Sequence, residues 1–482
     1  MQVDTKLETL SERRALLGAV AVARQRVRAP EFEHRVTAWS RARGSPAGVL
    51  AGNSMVALQS NDVTLLQADM ALQAYLQGVT SSLRYNEGDH LACLLSLRDP
   101  HVENIAESDS IGRLIQKSLR SPWDELVECH VRCVQCAANE NFLRAFEEQQ
   151  ALIQSHVMFS SSSLRPTGQA QVLVKILQTQ KEENWCLPLM YTACLEIRLL
   201  GIKADRQAKL RMKSYKPGEL LEKSAESVMN CFRVCASDNR AATKDSKRVG
   251  MLHLVNQLFK IYYRVNTLHL CKPLIRAIDN TPFKDEFALS QQVTYRYFVG
   301  RKAVFDNDLK EANEYLSFAF NRCHPEARGN IRQILIYLIP VKMLLGYQPS
   351  AELLRKHELT KFAPICEAVR KGNVHRFQEE LDSNEAYFYG LGVYLILERL
   401  RMVLYRNLFK RVYHILGTHQ IPIEAFLTVL QLQNVEDIDL EETQCILANL
   451  VYQGKIKGYI SLQHSKLVVS KQNAFPKLST II

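Results

Sequence analysis

Four residues invite a chemical reading first: Cys129, His130, Cys133 and Cys136 fall within eight positions. Structural zinc takes four Cys or His ligands, and a finger needs a second pair at a set distance from the first. Cys133 and Cys136 form a C-x-x-C pair with no second C-x-x-C or H-x-x-x-H partner at that spacing. On a helix Cys129, Cys133 and Cys136 share one face, which is also what a buried packing stripe requires. Free cysteine packs as a small hydrophobe, so packing is the expectation, and a zinc or thiol centre is the competing reading. Cys323 beside His324 suggests a thiol and imidazole pair, but neighbours on a helix point in different directions and nothing supplies an orienting third group. A helix end is the better description of that pair. Neither G-x-x-x-x-G-K-[ST] nor G-x-G-x-x-G occurs, Gly390 to Gly392 lacks a third glycine, and G-x-S-x-G, H-E-x-x-H and a spaced H-x-H with a downstream Asp are all missing. The expectation is a protein without catalytic activity, cofactor, metal or small-molecule substrate.

Basic residues interleaved with aromatics carry a different chemistry. Lys455, Lys457, Tyr459, Lys466 and Lys471 cluster near the C-terminus with Lys477 just beyond, and Arg399, Arg401, Arg406, Lys410 and Arg411 precede them. Such a surface suits a phosphate backbone, with Tyr459 available for stacking. The expected nucleic-acid-binding set is Lys455, Lys457, Tyr459, Lys466, Lys471, Arg406, Lys410 and Arg411, with RNA the expected ligand and DNA an open alternative. The bland reading of the same residues is a lysine-rich edge strand that resists aggregation. A second basic set, Lys203, Arg206, Lys209, Arg211, Lys213 and Lys216, reads as a loop-like solvated connector, with a partner site as the other option.

Those residues need a scaffold to position them, and the composition supports one. The chain has 482 residues, 47% hydrophobic and 23% charged, which suffices for two or three domains with a sizeable core. A formal charge of +11 favours an acidic partner, either nucleic acid or an acidic protein. No apolar run reaches membrane-spanning length, since Ile331 to Leu345 is interrupted by Arg332, Gln333, Pro340 and Lys342. The first sixty residues are rich in arginine, as a transit peptide would be, but Asp4, Glu8, Glu12, Glu31 and Glu33 argue against one. The twelve cysteines sit in apolar helical patterns and read as reduced thiols, which points to cytosol or nucleus.

From about Leu72 the apolar residues recur at spacings of three and four. Breaks are expected at Gly44 to Gly52, at Ser160 to Gly168 and at Ala236 to Lys247. Gly300 and Ala303, a turn at Asp306 to Asp308, then Ala312, Leu316 and Ala319 match the small-residue spacing of a tetratricopeptide helix pair, closed by Pro325. The same ruler places Cys133 and Cys136 at the small-residue positions of an earlier pair, opposite Ala145 across a turn at Asn139 to Asn141. Near the end, Leu408 to Leu416, Ile423 to Leu430 and Leu440 to Gln453 read as helices, followed by strands at Lys455 to Ser461 and Lys466 to Ser470. Three helices and a hairpin are the order of a winged helix. Glu436, Asp437 and Asp439 suit the start of its third helix.

A helical solenoid running into a winged helix resembles the PCI family, named for the proteasome lid, the signalosome and translation initiation factor three. FAPICEAVRKGNVHRFQEEL (Phe362 to Leu381) is similar to the family's helix pair around a Gly-Asn turn, here Gly372 and Asn373, with Phe377 and Leu381 as anchors, and Arg406 to Leu408 open the winged part. KEENWCLPLMY (Lys181 to Tyr191), NCFRVCASDNRA (Asn230 to Ala241), LVNQLFKIYYRVNTLHLCKPLIRAID (Leu254 to Asp279), QCILANLVYQGKIKGYIS (Gln444 to Ser461) and KLVVSKQNAFPKLS (Lys466 to Ser479) resemble the Thp-type branch, which serves the second transcription-export complex.

The resemblance implies an all-α fold, a tetratricopeptide-like solenoid ending in a PCI winged-helix subdomain with a small β hairpin. It implies an adaptor that binds a Sac/GANP-type scaffold, a small acidic Sem-type protein and RNA at the nuclear pore basket, in messenger export. Its rival is a structural subunit of a signalosome-like or lid-like assembly that touches no nucleic acid. The expected layout is a poorly ordered extension at 1–60, N-terminal repeats at 70–290, a PCI helical subdomain at 291–400, the winged helix at 401–475 and a tail at 476–482.

Overall fold

The computed structural model describes residues 71–98, 111–153, 172–179, 184–212, 214–238, 245–435 and 438–481. The N-terminal extension, the serine run and Lys213 of the second basic set lie outside the described residues. The chain divides into two compact units, one ending at Tyr295 and the other resuming at Arg296.

The first unit is built from helices: α1 over 71–84, α2 Gly88–Leu94, α3 Ile111–Ser118, α4 Trp123–Ala138, α5 Phe142–Ile153, α6 Val172–Thr179, α7 Leu187–Arg211, α8 Glu219–Ala236, α9 Met251–Val265 and α10 Cys271–Asp279. Each presents a stripe of apolar side chains to its neighbours, and each fully buried Leu, Ile, Val or Phe contributes on the order of 1.5–3 kcal/mol. α4 pairs with α5, α5 with α7, and α7 with α8. Cys133 is fully buried in the α4–α5 seam and its thiol donates to the carbonyl of Ala145 at 3.2 Å. Burial pushes the Cys133 thiol well above its ordinary range and Cys129 up to about 12, as it does for cysteines packed as small apolar side chains. Glu140 takes a positive φ of 54° at the turn between the two helices. One expectation is overturned here: Lys203, Arg206, Lys209 and Arg211 are not in a loop but on the last turns of α7, which runs unbroken to Arg211. Its apolar face, Leu200, Ala204 and Ala208, is buried, and that packing keeps a lysine-rich sequence helical.

The helix α11 Leu289–Asp306 carries the chain across Arg296 into the second unit. There α12 Leu309–Arg322, α13 Arg328–Leu344, α14 Ala351–Lys356, α15 Phe362–Lys371, α16 Val374–Ser383, α17 Glu385–Leu391, α18 Tyr394–Glu398 and α19 Leu400–Leu416 follow. The tetratricopeptide spacing has a physical cause. A Cβ added at Gly300 would sit 2.8 Å from Leu316 Cγ, so glycine is what lets α11 and α12 approach. Ala312, Leu316 and Ala319 are fully buried against it. Asp308 caps α12 by accepting from the amide of Glu311 at 3.0 Å. Cys323 is the residue that ends α12, as a helix-end reading requires.

The winged part contains β1 Gln420–Pro422, α20 Ile423–Leu432, α21 Leu440–Tyr452, β2 Gly458–Ser461 and β3 Lys466–Val469. The expected hairpin is present as β2 paired antiparallel with β3, and β1 adds a third strand to its other edge, giving the order β1-β3-β2. The missed strand, Gln420–Pro422, is only three residues long and ends in proline, too short to show alternation. Asp439 caps α21 by accepting from the amide of Glu442 at 2.7 Å. Among the described residues no helix is long and apolar enough to cross a membrane.

Candidate nucleic-acid interface

The winged module is set onto the helical part of its unit by one turn. Gly372 ends α15 with φ +65°, and a Cβ there would lie 2.7 Å from the backbone nitrogen of Leu408. Asn373 then caps α16 through the amide of Arg376 at 2.9 Å, while Asn407 donates to the carbonyl of Val369 at 2.9 Å. The backbone of α15 therefore lies directly on α19, and glycine is required for both the left-handed turn and the approach. Phe377 and Leu381 of α16 are fully buried, as the anchoring role demands.

Sheet register decides which basic residues share a surface. Tyr459 faces Val468, Ser461 faces Lys466, and on the other side Gln420 faces Val468. Side chains alternate across a strand, so Leu467, Val469 and Ile421, all buried, form the inner face. Tyr459 and Lys466 lie on the outer face, and Tyr459 is 63% exposed. The pairing extends one step further, since the amide of Ser470 donates to the carbonyl of Lys457 at 2.8 Å and that of Lys457 to the carbonyl of Ala474 at 2.9 Å. Lys457 is therefore on the same outer face, two residues before Tyr459, and exposed Lys471 follows at the edge. The wing turn is tied down by the amide of Ile423, which donates to the carbonyl of Ser465 at 2.9 Å.

The other expected residues separate from this face. Lys455 is half-buried, its ammonium donating to Gln453 Oε1 at 2.6 Å; burial holds it below the usual lysine range, with Arg399 and Arg406 adding to the effect. Arg406 is not on a surface at all. It is 7% exposed, and its guanidinium donates to the carbonyls of Pro476 at 2.7 Å and Phe475 at 3.2 Å. This corrects the expectation that Arg406 meets nucleic acid: its donors hold the C-terminal segment, whose Leu478 reaches Gly346, just beyond α13. Lys410 is half-buried on α19 and Arg411 beside it is exposed, on neighbouring positions of a helix rather than on the sheet face. The residues brought together are thus Lys457, Tyr459, Lys466 and Lys471. Sequence reasoning missed Gln420 and Pro422, which complete the outer face, and no signal in so short a strand marked them.

A PCI domain model matches residues 381–471, the stretch that ends with this sheet. PCI domain-containing protein 2 of Danio rerio is 49% identical over 415 residues, 86% of this chain and 100% of that protein. The chain belongs to the PCI domain-containing protein 2 family. Enhanced ethylene response protein 5 of Arabidopsis thaliana is 32% identical over 86% of this chain and 98% of its own length. The protein named CSN12 homolog of Mycosarcoma maydis is 30% identical over 75% of this chain and 86% of its own. Family membership makes the all-helical architecture with its terminal winged module that of a PCI scaffold subunit.

Proposed function

We propose that this chain is a non-enzymatic adaptor of a nuclear-pore-associated complex that couples transcription to messenger export. In this reading it binds a Sac/GANP-type scaffold, a small acidic Sem-type subunit and RNA. The observation that carries the RNA part is the register placing Lys457, Tyr459 and Lys466 on one outward face, with Lys471 at its edge. Cations flanking an exposed aromatic track a single-stranded phosphate backbone while a base stacks on the ring. The net charge of +11 supports an acidic partner in the same assembly.

The test is binding of single-stranded RNA to the full chain, with its scaffold partner, across a salt series. Replacing Lys457, Lys466 and Lys471 together by glutamine should weaken binding and reduce the slope of log K against log salt by about 2, at roughly 0.7 per lost phosphate contact. The fold should persist, since all three ammonium groups stand outside the core. An unchanged slope, or no RNA retention by the unaltered complex, leaves the rival: a structural subunit without a nucleic-acid role.

A further inference from the structure

In the unit ending at Tyr295, one face of α8 borders an open groove of about 350 Å³. Glu222, Ala225, Glu226, Met229 and Arg233 recur there at spacings of three, one, three and four, so they form one stripe about 16 Å long. The facing wall comes from the end of α9, Tyr262 and Val265, and from the turn that follows it. Asn266 ends α9 with φ +67°, and the amide of Thr267 donates back to the carbonyl of Tyr262 at 3.0 Å. The chain leaves the axis of α9 at that point and passes through the short helical turn Leu268–Leu270, which leaves Leu270 41% exposed on the groove. Ala225, Ile261 and Tyr262 are buried beneath, and half-buried Met229 and Val265 supply the apolar sides.

Charge is distributed unevenly along this stripe. Glu222 and Glu226 stand one turn apart at one end, a spacing at which like charges on a helix repel. Little in the chain offsets them. Lys223 is paired with Glu219 at 3.0 Å, and Lys216 comes no closer to Glu222 than 3.8 Å. Among the described residues Glu226 has neither an ion pair nor a side-chain hydrogen bond. At the other end Arg233 donates to Asn230 Oδ1 at 3.2 Å, which places a cation there. In a chain of net charge +11, an unneutralised carboxylate pair beside an apolar floor is a local reversal of sign.

We propose that this groove docks an amphipathic peptide segment of a partner protein, its apolar side chains on Met229, Val265 and Leu270 and a lysine or arginine at one end over Glu222 and Glu226. The end over Arg233 carries no cation. A phosphate backbone is repelled by the carboxylates. Small molecules are held by polar groups that converge on them, whereas the charged groups here lie at the two ends of a stripe. A peptide of about three helical turns matches both the length and the order of charge, and methionine is a side chain that adapts to such contacts. The inference rests on this unit alone and does not depend on the RNA reading.

The experiment pans a phage library of random dodecapeptides against the full chain. Enriched sequences should carry Lys or Arg at one end of an apolar stretch. The strongest binder, synthesised, should lose about tenfold in affinity for the chain carrying Glu222→Lys and Glu226→Lys, and replacing its basic residues by glutamate should recover about tenfold on that variant. Both carboxylates reach solvent, so the variant should keep its thermal midpoint. In the unaltered chain the bound peptide should slow peroxide oxidation of Met229 about fivefold, as read by peptide mass spectrometry, which tests the site without reference to any variant's folding. No enrichment, acidic binders, binders indifferent to the charge reversal, or an unchanged rate at Met229 would each overturn the proposal. So would oxidation that slows as the chain's own concentration rises without peptide, since the face would then meet a second copy.

Discussion

Replacing Arg406 by methionine separates a residue that holds the fold from those that face solvent. Methionine retains an unbranched stem and removes every donor. The carbonyls of Phe475 and Pro476, both in buried residues, then lose their partners at 3.2 and 2.7 Å. A hydrogen bond from a charged donor contributes about 1.5–3 kcal/mol, so two give about 3–6 kcal/mol. Part of that is offset, because the guanidinium no longer has to be desolvated; its burial is costly enough to hold it below the usual arginine range. A net loss of about 3 kcal/mol remains, localised to residues 474–481 and to the amide of Lys457, which donates to Ala474. At about 1.4 kcal/mol per factor of ten this is on the order of 100-fold faster amide hydrogen exchange at Lys457. Hydrogen–deuterium exchange with peptide resolution reads it directly. The RNA salt slope should stay unchanged, since the side chain never reached a phosphate. Exchange within about threefold of the unaltered chain, together with a slope lowered by about 1, would refute the reasoning and return Arg406 to the RNA face.

Two further perturbations follow from the geometry. Gly372→Ala combines a left-handed φ, worth about 1–2 kcal/mol, with a Cβ 2.7 Å from backbone on α19, so it should cost at least about 3 kcal/mol; a midpoint of thermal unfolding within about 1 °C of the unaltered chain would contradict this. His253 is pulled down to about 4, mainly by burial and then by Lys260, against about 6.5 in the unfolded chain. The unfolded state thus binds more protons between those values, so the stabilisation is complete above about pH 6.5 and is lost, by up to about 3 kcal/mol, as pH falls towards 4. His253→Gln should flatten that segment of the urea-midpoint profile followed by the stacked Trp123 and Trp185 in the same unit, and an unaltered profile would count against it.

Legibility in the sequence followed the range of the physics. Gly300 with Ala303, and Ala312 with Leu316 and Ala319, could be matched to a helix pair because close approach demands small residues at fixed spacings, and the clash a Cβ would cause at Gly300 shows that demand. The Gly372–Asn373 turn was readable for the same reason, as left-handed φ and an N-cap are local requirements. The basic end of α7, Lys203 to Arg211, misled because its own sequence is polar while the helix is held by Leu200, Ala204 and Ala208 packing against distant parts of the chain.

What the sequence determined by itself was the helical character, the change of pattern near the C-terminus, and the identity of the basic and aromatic residues in the wing. These rest on periodicity, capping and turn chemistry, all of which act within a few residues. Only the tertiary structure decided which of those residues act together. Lys457, Tyr459 and Lys466 share a face because a strand register pairs residues across a turn. Arg406 turned inward because a segment seventy residues later offers it two carbonyls. Arg198 meets Gln257 at 2.8 Å from a position fifty-nine residues earlier, and no spacing in the sequence records that meeting, because a contact between separate helices depends on distance in space.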